Sequence, residues 1–240
     1  MSSNTNSLGA RMLQYENVSK LTLTKRMPLV IRIDGRAFHT WTHGLNKPFD
    51  EGLANFLATA AKITMTEMSG AKLAYLFSDE ISILLTDYDA LTTDAWFDKE
   101  QQKLCSVTAS IFTAHFNALW FGRFIEDKDR ARKLATFDAR CFLLPKEEVA
   151  NYFVFRQQDC TRNSINGLGQ AHFSHVALQG KSTDEVQEML FTQKSLNWND
   201  LETRKKRGSC VVKSDSGFLI DEDIPVFTQD RDYIERFVIL

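Results

Sequence analysis

At 240 residues the chain has room for one large domain, and its 43% hydrophobic and 25% charged residues are ordinary for a soluble globular protein. A formal net charge of −2 excludes a globally basic nucleic-acid binder, so any RNA contact has to come from a local patch. Cys105, Cys141, Cys160 and Cys210 stand far apart with no Cys-x-x-Cys pair, which argues against zinc and for free buried thiols in a reducing compartment. The first twenty residues lack an apolar signal core and no apolar run approaches the roughly 18 residues of a membrane span, so a cytoplasmic location without membrane association is expected.

Residues 1–10 are polar and expected to fray. A leading helix is expected over Leu13 to Met27, solvated, in a stretch that carries Arg11, Lys20, Lys25 and Arg26. Leu29, Val30, Ile31 and Ile33 then form a mostly β-branched run behind Pro28, the pattern of a buried strand. Asp34-Gly35 breaks the run and starts a turn. That leaves a carboxylate at the mouth of a sheet, where a hard cation finds oxygen ligands, although an ordinary Asp-Gly turn explains this stretch equally well. In the loop Thr40 to Phe49, Lys47 can reach a phosphate as a point charge or can simply be exposed. His39 and His43 do not read as a metal pair, because hard Mg²⁺ prefers oxygen.

From Asp50 to Met68, apolar residues Leu53, Phe56, Leu57, Ala60, Ile63 and Met68 recur at helical spacing. Tyr75 to Leu85 is two apolar runs around Ser78-Asp79-Glu80, a hairpin with adjacent carboxylates at its bend. A second long helical pattern covers about Gln101 to Trp120, Phe121 to Lys133 reads as a solvated loop, and Ala139 to Leu144 supplies a fourth strand. The order β-α-β-β-α-β is the split βαβ unit, an α+β fold with a ferredoxin-like antiparallel sheet and helices on one face. A right-handed crossover makes the first two strands parallel, with the third between them and running the other way. Asp34 then lies beside Asp79 and Glu80. Three carboxylates so close repel or take up protons unless one or two divalent cations resolve the conflict, Mg²⁺ with substrate phosphates being the usual solution.

Pro145-Lys146-Glu147-Glu148 opens a helix to about Gln170 with Val149, Tyr152, Phe153 and Phe155 on its apolar face. Arg156, Asp159, Arg162 and Asn163 cluster within two turns, spaced for an i,i+3 ion-pair ladder and equally for a set that faces phosphate. After a short helix, Thr183 to Phe191, the run Arg204-Lys205-Lys206-Arg207 is either a solvated face or the local patch for RNA phosphates or a triphosphate. Gly217 to Leu240 reads as a hairpin with an acidic turn at Asp221-Glu222-Asp223. A core with its leading helix is expected over 1–145, and an extension packed on it over 146–240, as one compact unit.

Four stretches, Arg32 to His39, Lys47 to Asp50, Ser78 to Glu80 and Phe155 to Ile165, resemble in order and spacing the signature of the tRNA-histidine guanylyltransferase superfamily, over about residues 11–213. Their details resemble its smaller like-protein branch. The resemblance implies a palm-like core, as in polymerases and nucleotide cyclases. It implies a nucleotidyltransferase that extends the 5′ end of RNA in the 3′–5′ direction: ATP activates a 5′-monophosphate end, and the 3′-hydroxyl of an incoming nucleotide displaces AMP. It implies two Mg²⁺ ions on Asp34, Asp79 and the Gly35 carbonyl, with Glu80 as a third catalytic carboxylate. The implied nucleotide site is Asp34, Gly35, Arg36, Ala37, Phe38, His39, Lys47, Ser78, Asp79, Arg156 and Asn163, with RNA or phosphate contacts at Arg204, Lys205, Lys206 and Arg207. Implied partners are 5′-truncated tRNA, ATP, GTP and other NTPs, in a homotetramer. Eukaryotic members carry His-Ile-Asn-Asn after an Asp-Cys dipeptide, whereas Asp159-Cys160 here precedes Thr161-Arg162-Asn163-Ser164. Lacking that histidine, the chain is expected to repair truncated tRNA on a template rather than add G−1 to tRNA-histidine; the rival class is a palm-type nucleotide cyclase.

Overall fold

One antiparallel sheet carries the molecule in the computed structural model, which describes residues 7–238. Its strands are β1 (Leu29–Gly35), β2 (Ala71–Phe77), β3 (Glu80–Leu85), β4 (Phe137–Leu143), β5 (Ser209–Ser214) and β6 (Gly217–Asp221), in the order β4-β1-β3-β2-β5-β6. The helices are α1 (Leu8–Asn17), α2 (Phe38–Trp41), α3 (Glu51–Thr66), α4 (Gln101–Arg123), α5 (Lys128–Ala131), α6 (Lys146–His172), α7 (His175–Leu178), α8 (Thr183–Lys194), α9 (Thr203–Arg207) and α10 (Asp232–Glu235). The expected split βαβ unit is present, with β3 antiparallel between β1 and β2 and β4 outside β1.

Alternation along the strands gives the sheet two apolar faces. On one, Ile31, Ile33, Ile81 and Ile83 meet α3 and α4. Asp50 caps α3 by accepting from the Leu53 amide at 2.8 Å. The stripe Leu104, Thr108, Phe112, Phe116 and Trp120, stepping by four, buries the long α4. On the other face, Val30, Leu73, Tyr75, Leu84 and Cys210 meet Val149, Phe153 and Cys160 of α6, together with Ile224, Phe227 and Ile234. The chain after residue 145 is thus joined to the core through the sheet itself, since β5 pairs with β2.

Several boundaries differ from expectation. The leading helix is Leu8–Asn17, capped by Ser7, rather than Leu13 to Met27. It stops because the following segment pairs its backbone with residues near Lys99: the Leu23 amide donates to the Lys99 carbonyl and the Gln101 amide to that of Leu21. The expectation that residues 1–10 fray falls partly on 1–6, which lie outside the described residues, as does the end of the tail at 239–240. Phe121 to Lys133 is not all loop: it holds the end of α4 and the turn α5, tied down by Trp120 Nε1 donating to the Arg130 carbonyl at 2.7 Å. The C-terminal hairpin is β5–β6, and of the acidic residues Asp221 ends β6 while Glu222 and Asp223 follow it, so none forms its turn.

Lys99 pins the segment before β1. Its buried ammonium donates to the carbonyls of Thr24 (3.0 Å) and Met27 (2.8 Å) and to Asp87 Oδ1 (3.1 Å). These contacts hold Phe97, Asp98 and Lys99 in left-handed backbone, with φ of 48°, 51° and 58°. Burial lowers the Lys99 pKa, and the Asp87 carboxylate opposes that. Removing one partner strands the other charge in the interior. Lys99→Met is therefore expected to cost about 3–5 kcal/mol in urea unfolding at neutral pH, and a loss below roughly 1 kcal/mol would show that the clamp is not what holds this segment.

Candidate active site

β1 delivers Asp34 directly opposite Glu80, the first residue of β3. The β2–β3 hairpin turns through Ser78, in left-handed backbone at φ 50°, and sets Asp79 at its tip. Ser78 Oγ donates to Asp79 Oδ1 at 2.9 Å. Burial raises the Asp79 pKa above the usual carboxylate range and the Asp34 charge adds to this, while Ser78 and the backbone amides of Asp79 and Gly35 pull it back. Gly35 is required here because a Cβ would lie 2.5 Å from the Phe38 ring and 2.8 Å from Asp79 Oδ2. Beyond it Arg36 and Ala37 are exposed, Ala37 at φ 50°, and lead into α2.

Glu80 is held differently from the two aspartates. Arg156, expected at a triphosphate, is buried and grips both Glu80 oxygens, from Nε and Nη2, each at 2.7 Å. Arg32 Nε lies 3.9 Å from the same carboxylate. Arg156 also bonds Asp159 at 3.0 Å, and Arg162 bonds Asp159 at 2.5 Å, so the i,i+3 ladder forms as the spacing allowed. Burial raises the Glu80 pKa, against the opposing pull of Arg156. The expected set of three converging carboxylates is therefore corrected: among the described residues no three His, Cys, Asp or Glu side chains form a ready ligand group. Asp34 and Asp79 carry no ion pair among the described residues. A half-buried acid near a second carboxylate fits a hard cation, and these two, with the Gly35 carbonyl, are the donors of the right chemistry.

Beside Asp79 opens a cavity of about 660 Å³, whose lining does not include Asp34. Its lining includes Phe38, His39, Lys47, Ser78, Asp79, Asn163, Arg204 and Lys205 from the expected site. It also includes Asn55, Glu51, Glu222 and Ser164, which sequence reasoning missed. Lys47 is exposed, and its ammonium donates to Thr42 Oγ1 at 3.4 Å. α6 turns Cys160, Asn163, Ser164 and Gly167 to the cavity. Their i, i+3, i+4, i+7 spacing is the signal that could have revealed this wall.

Arg204 and Lys205 of the basic run line this cavity, and the run is tied to its neighbours rather than being a free solvated face. Arg204 Nη1 donates to Asn55 Oδ1 (2.5 Å) and Glu222 Oε1 (2.6 Å), while its Nη2 is buried without a partner. Lys205 pairs with Glu51 at 2.7 Å and Glu202 at 3.1 Å, and Lys206 donates to the Asn199 carbonyl at 2.6 Å. The Arg207 carbonyl accepts from the buried Tyr75 hydroxyl at 2.8 Å. Gly208, at φ 82°, seats α9 against β2, where a Cβ would stand 2.4 Å from the Leu76 carbonyl.

The Glu80–Arg156 pair gives a pH signature. An acid whose folded pKa is raised contributes stability that is fully present below its ordinary, unfolded value and lost as pH rises through the folded value. Arg156→Leu removes the largest influence opposing that rise. The variant is expected to lose about 3–5 kcal/mol at pH 8, and part of the deficit should return at pH 5 as Glu80 binds a proton. An equal deficit at both values in urea unfolding would rule out Glu80 as the stranded charge.

The chain is similar in sequence and in fold to known proteins. The family described as tRNAHis guanylyltransferase matches over residues 9–145. The tRNA(His) guanylyltransferase of Schizosaccharomyces pombe is 31% identical over 216 residues, which are 83% of this chain and 78% of that protein. That of Debaryomyces hansenii is 30% identical over 201 residues, 77% of this chain and 73% of that protein. The structure of a bacterial tRNA(His) guanylyltransferase-like protein in complex with ATP superposes with a TM-score of 0.93 at 47% identity, covering 98% of this chain and 100% of the other. The Saccharomyces cerevisiae tRNA(His) guanylyltransferase superposes with a TM-score of 0.75 at 25% identity, over 93% of this chain and 100% of that one. On a family match over more than half its length, relatives about 30% identical and a near-complete superposition, the chain belongs to the tRNA(His) guanylyltransferase family and is a nucleotidyltransferase.

Proposed function

We propose that this protein repairs 5′-truncated tRNA by templated 3′–5′ nucleotide addition, with ATP activating the 5′ end and the 3′-hydroxyl of an NTP attacking it. The observation that carries this reading is Thr161. It stands where the guanylyltransferases proper have histidine, and its hydroxyl faces the Lys206 carbonyl at 3.4 Å, bracing α9. Higher identity to bacterial like-proteins, 47% and 43% in complexes with ATP and with GTP, than to the yeast enzyme at 25% supports the same branch.

The geometry supplies the parts such a transfer needs. Asp34, Asp79 and the Gly35 carbonyl would hold two Mg²⁺ ions, which when bound neutralise triphosphate charge and ease ionisation of the attacking hydroxyl. Lys47 swings from Thr42 to meet phosphate, and Asn163 offers its amide from α6. A nucleotide in the cavity would lie beside Asp79, and positioning with charge stabilisation accounts for most of the acceleration in phosphoryl transfer. Arg204 and Lys205 reach a phosphate only by releasing Glu222, Glu51 or Glu202, which makes them contacts of a loaded site. A homotetramer and a cytoplasmic location complete the reading. The second reading, addition of G−1 to tRNA-histidine, is favoured by the names of the curated relatives at about 30% identity.

Watson–Crick pairing can choose each base while the protein reads only end chemistry and backbone. The test uses two truncated tRNAs of different identity, each with the opposing base changed to all four possibilities. Addition should follow the opposing base in both. Addition of G alone, and only to tRNA-histidine, would overturn the proposal in favour of the second reading. Asp79→Ala, at ordinary Mg²⁺, should lose roughly a hundredfold or more of that addition while keeping the fold, the scale seen when metal affinity is lost. Near-normal addition by this variant would remove Asp79 from the catalytic centre.

A further inference from the structure

We propose that Cys105 and Cys141 are an oxidisable pair, which a hydroperoxide converts to a disulfide that straps α4 to β4. Their sulfurs already lie 3.5 Å apart, the Cys105 thiol directed at Cys141. A disulfide needs about 2.05 Å between sulfurs, so the bond asks for an approach of roughly 1.5 Å, within the reach of small side-chain rotations. The two residues come from elements packed against each other in the α3/α4 core, 36 positions apart in sequence. The other two cysteines have no such neighbour: Cys160 contacts Tyr75 and Cys210 contacts Tyr233, both beneath the opposite face of the sheet.

Exposure sets the order of events. Cys105 is partly exposed on α4 whereas Cys141 is buried on β4. Burial and the neighbouring Cys105 push the Cys141 thiol up to about 12, so it stays protonated. The thiolate of Cys105 attacks the hydroperoxide, one oxygen is transferred to sulfur, and water or an alcohol leaves. The resulting sulfenic acid condenses with the Cys141 thiol, forming the S–S bond and releasing water. In sum two thiols lose two hydrogens and the peroxide bond is reduced. Because Cys141 is held protonated the second step is slow, on the scale of minutes or longer at neutral pH. The strap ties an edge strand that pairs with β1 alone to the longest helix of the core face. Cys141 lies opposite Ile31, on the strand that carries Asp34, so the strap braces that strand from outside without touching the cavity.

The test treats the whole purified protein with hydrogen peroxide, alkylates remaining thiols and maps peptides. A Cys105–Cys141 linked peptide is expected, lighter by two hydrogens than the two free peptides. A rise of roughly 5–10 °C in Tm should accompany it, the effect of closing a loop of this size in a chain of this length. Dithiothreitol should reverse both. Cys105→Ser, outside the catalytic site, should keep the untreated Tm and abolish the peroxide-dependent rise, and Cys141→Ala gives the same readout from the other side. The proposal is overturned if excess peroxide leaves both thiols free for alkylation. It is equally overturned if Cys105 goes to sulfinic acid with Cys141 still free, or if the crosslink runs through Cys160, Cys210 or a second molecule. None of these readouts depends on nucleotide addition, so the result stands apart from the proposed function.

Discussion

Like charges at the end of one sheet are the constraint around which the molecule is arranged. The β1–β3 register sets Asp34 against Glu80, and the adjoining hairpin adds Asp79. Unit charges a few ångströms apart at a part-buried site repel by several kcal/mol, on the order of 4 at 4 Å with an effective dielectric of about 20. The protein treats the three acids differently. Glu80 is turned toward α6 and neutralised by a two-point grip from Arg156, backed by Arg32. Asp34 and Asp79 have no ion pair among the described residues, and Asp79 borders the cavity. The glycine at 35, the left-handed turns at Ala37 and Ser78 and the lie of α6 all serve that separation.

One helix carries both sides of the solution. α6 buries Val149 and Phe153 against the sheet, places Arg156 over Glu80 one turn later, and then shows Asn163, Ser164 and Gly167 to the cavity. The same rigid element thus fixes the neutralised acid and the wall that faces ligand, so neither can shift without the other. Trp198 and α9 lock against it through Ser164, whose hydroxyl accepts from Trp198 Nε1 at 3.0 Å and donates to the Lys205 carbonyl at 2.6 Å.

How much of this was legible in the sequence depends on the range of each interaction. Periodicity revealed β1, the Ser-Asp-Glu hairpin and α3, because each is specified by its own side chains. Topology rules then brought Asp34 to Asp79. Arg156 was assigned to phosphate because its true partner, Glu80, lies 76 residues away and no local pattern announces it. The ion pairs of the basic run are illegible for the same reason, since the acid that pairs with Lys205 is Glu51, 154 residues earlier. β5 was missed because Cys210-Val211-Val212 is too short an apolar run, between cations, to stand out as a strand. The end of α1 was misplaced because backbone pairing with the Lys99 region, a tertiary effect, overrides helical propensity after Asn17.

The cavity draws its walls from the loop after β1, the start of α3, the β2–β3 hairpin, the middle of α6 and the stretch around α9. No two adjoining segments enclose it, and α9, a single five-residue turn, has no stability of its own. A ligand seated there binds the assembled chain and not its parts. By mass action, occupancy at a hundred times Kd adds about 2.7 kcal/mol to the native state. Under the function proposed above that ligand is a nucleotide, so the cell's nucleotide pool would enter the protein's folding equilibrium, and a cell drained of nucleotide would present proteases with a less durable form of this molecule.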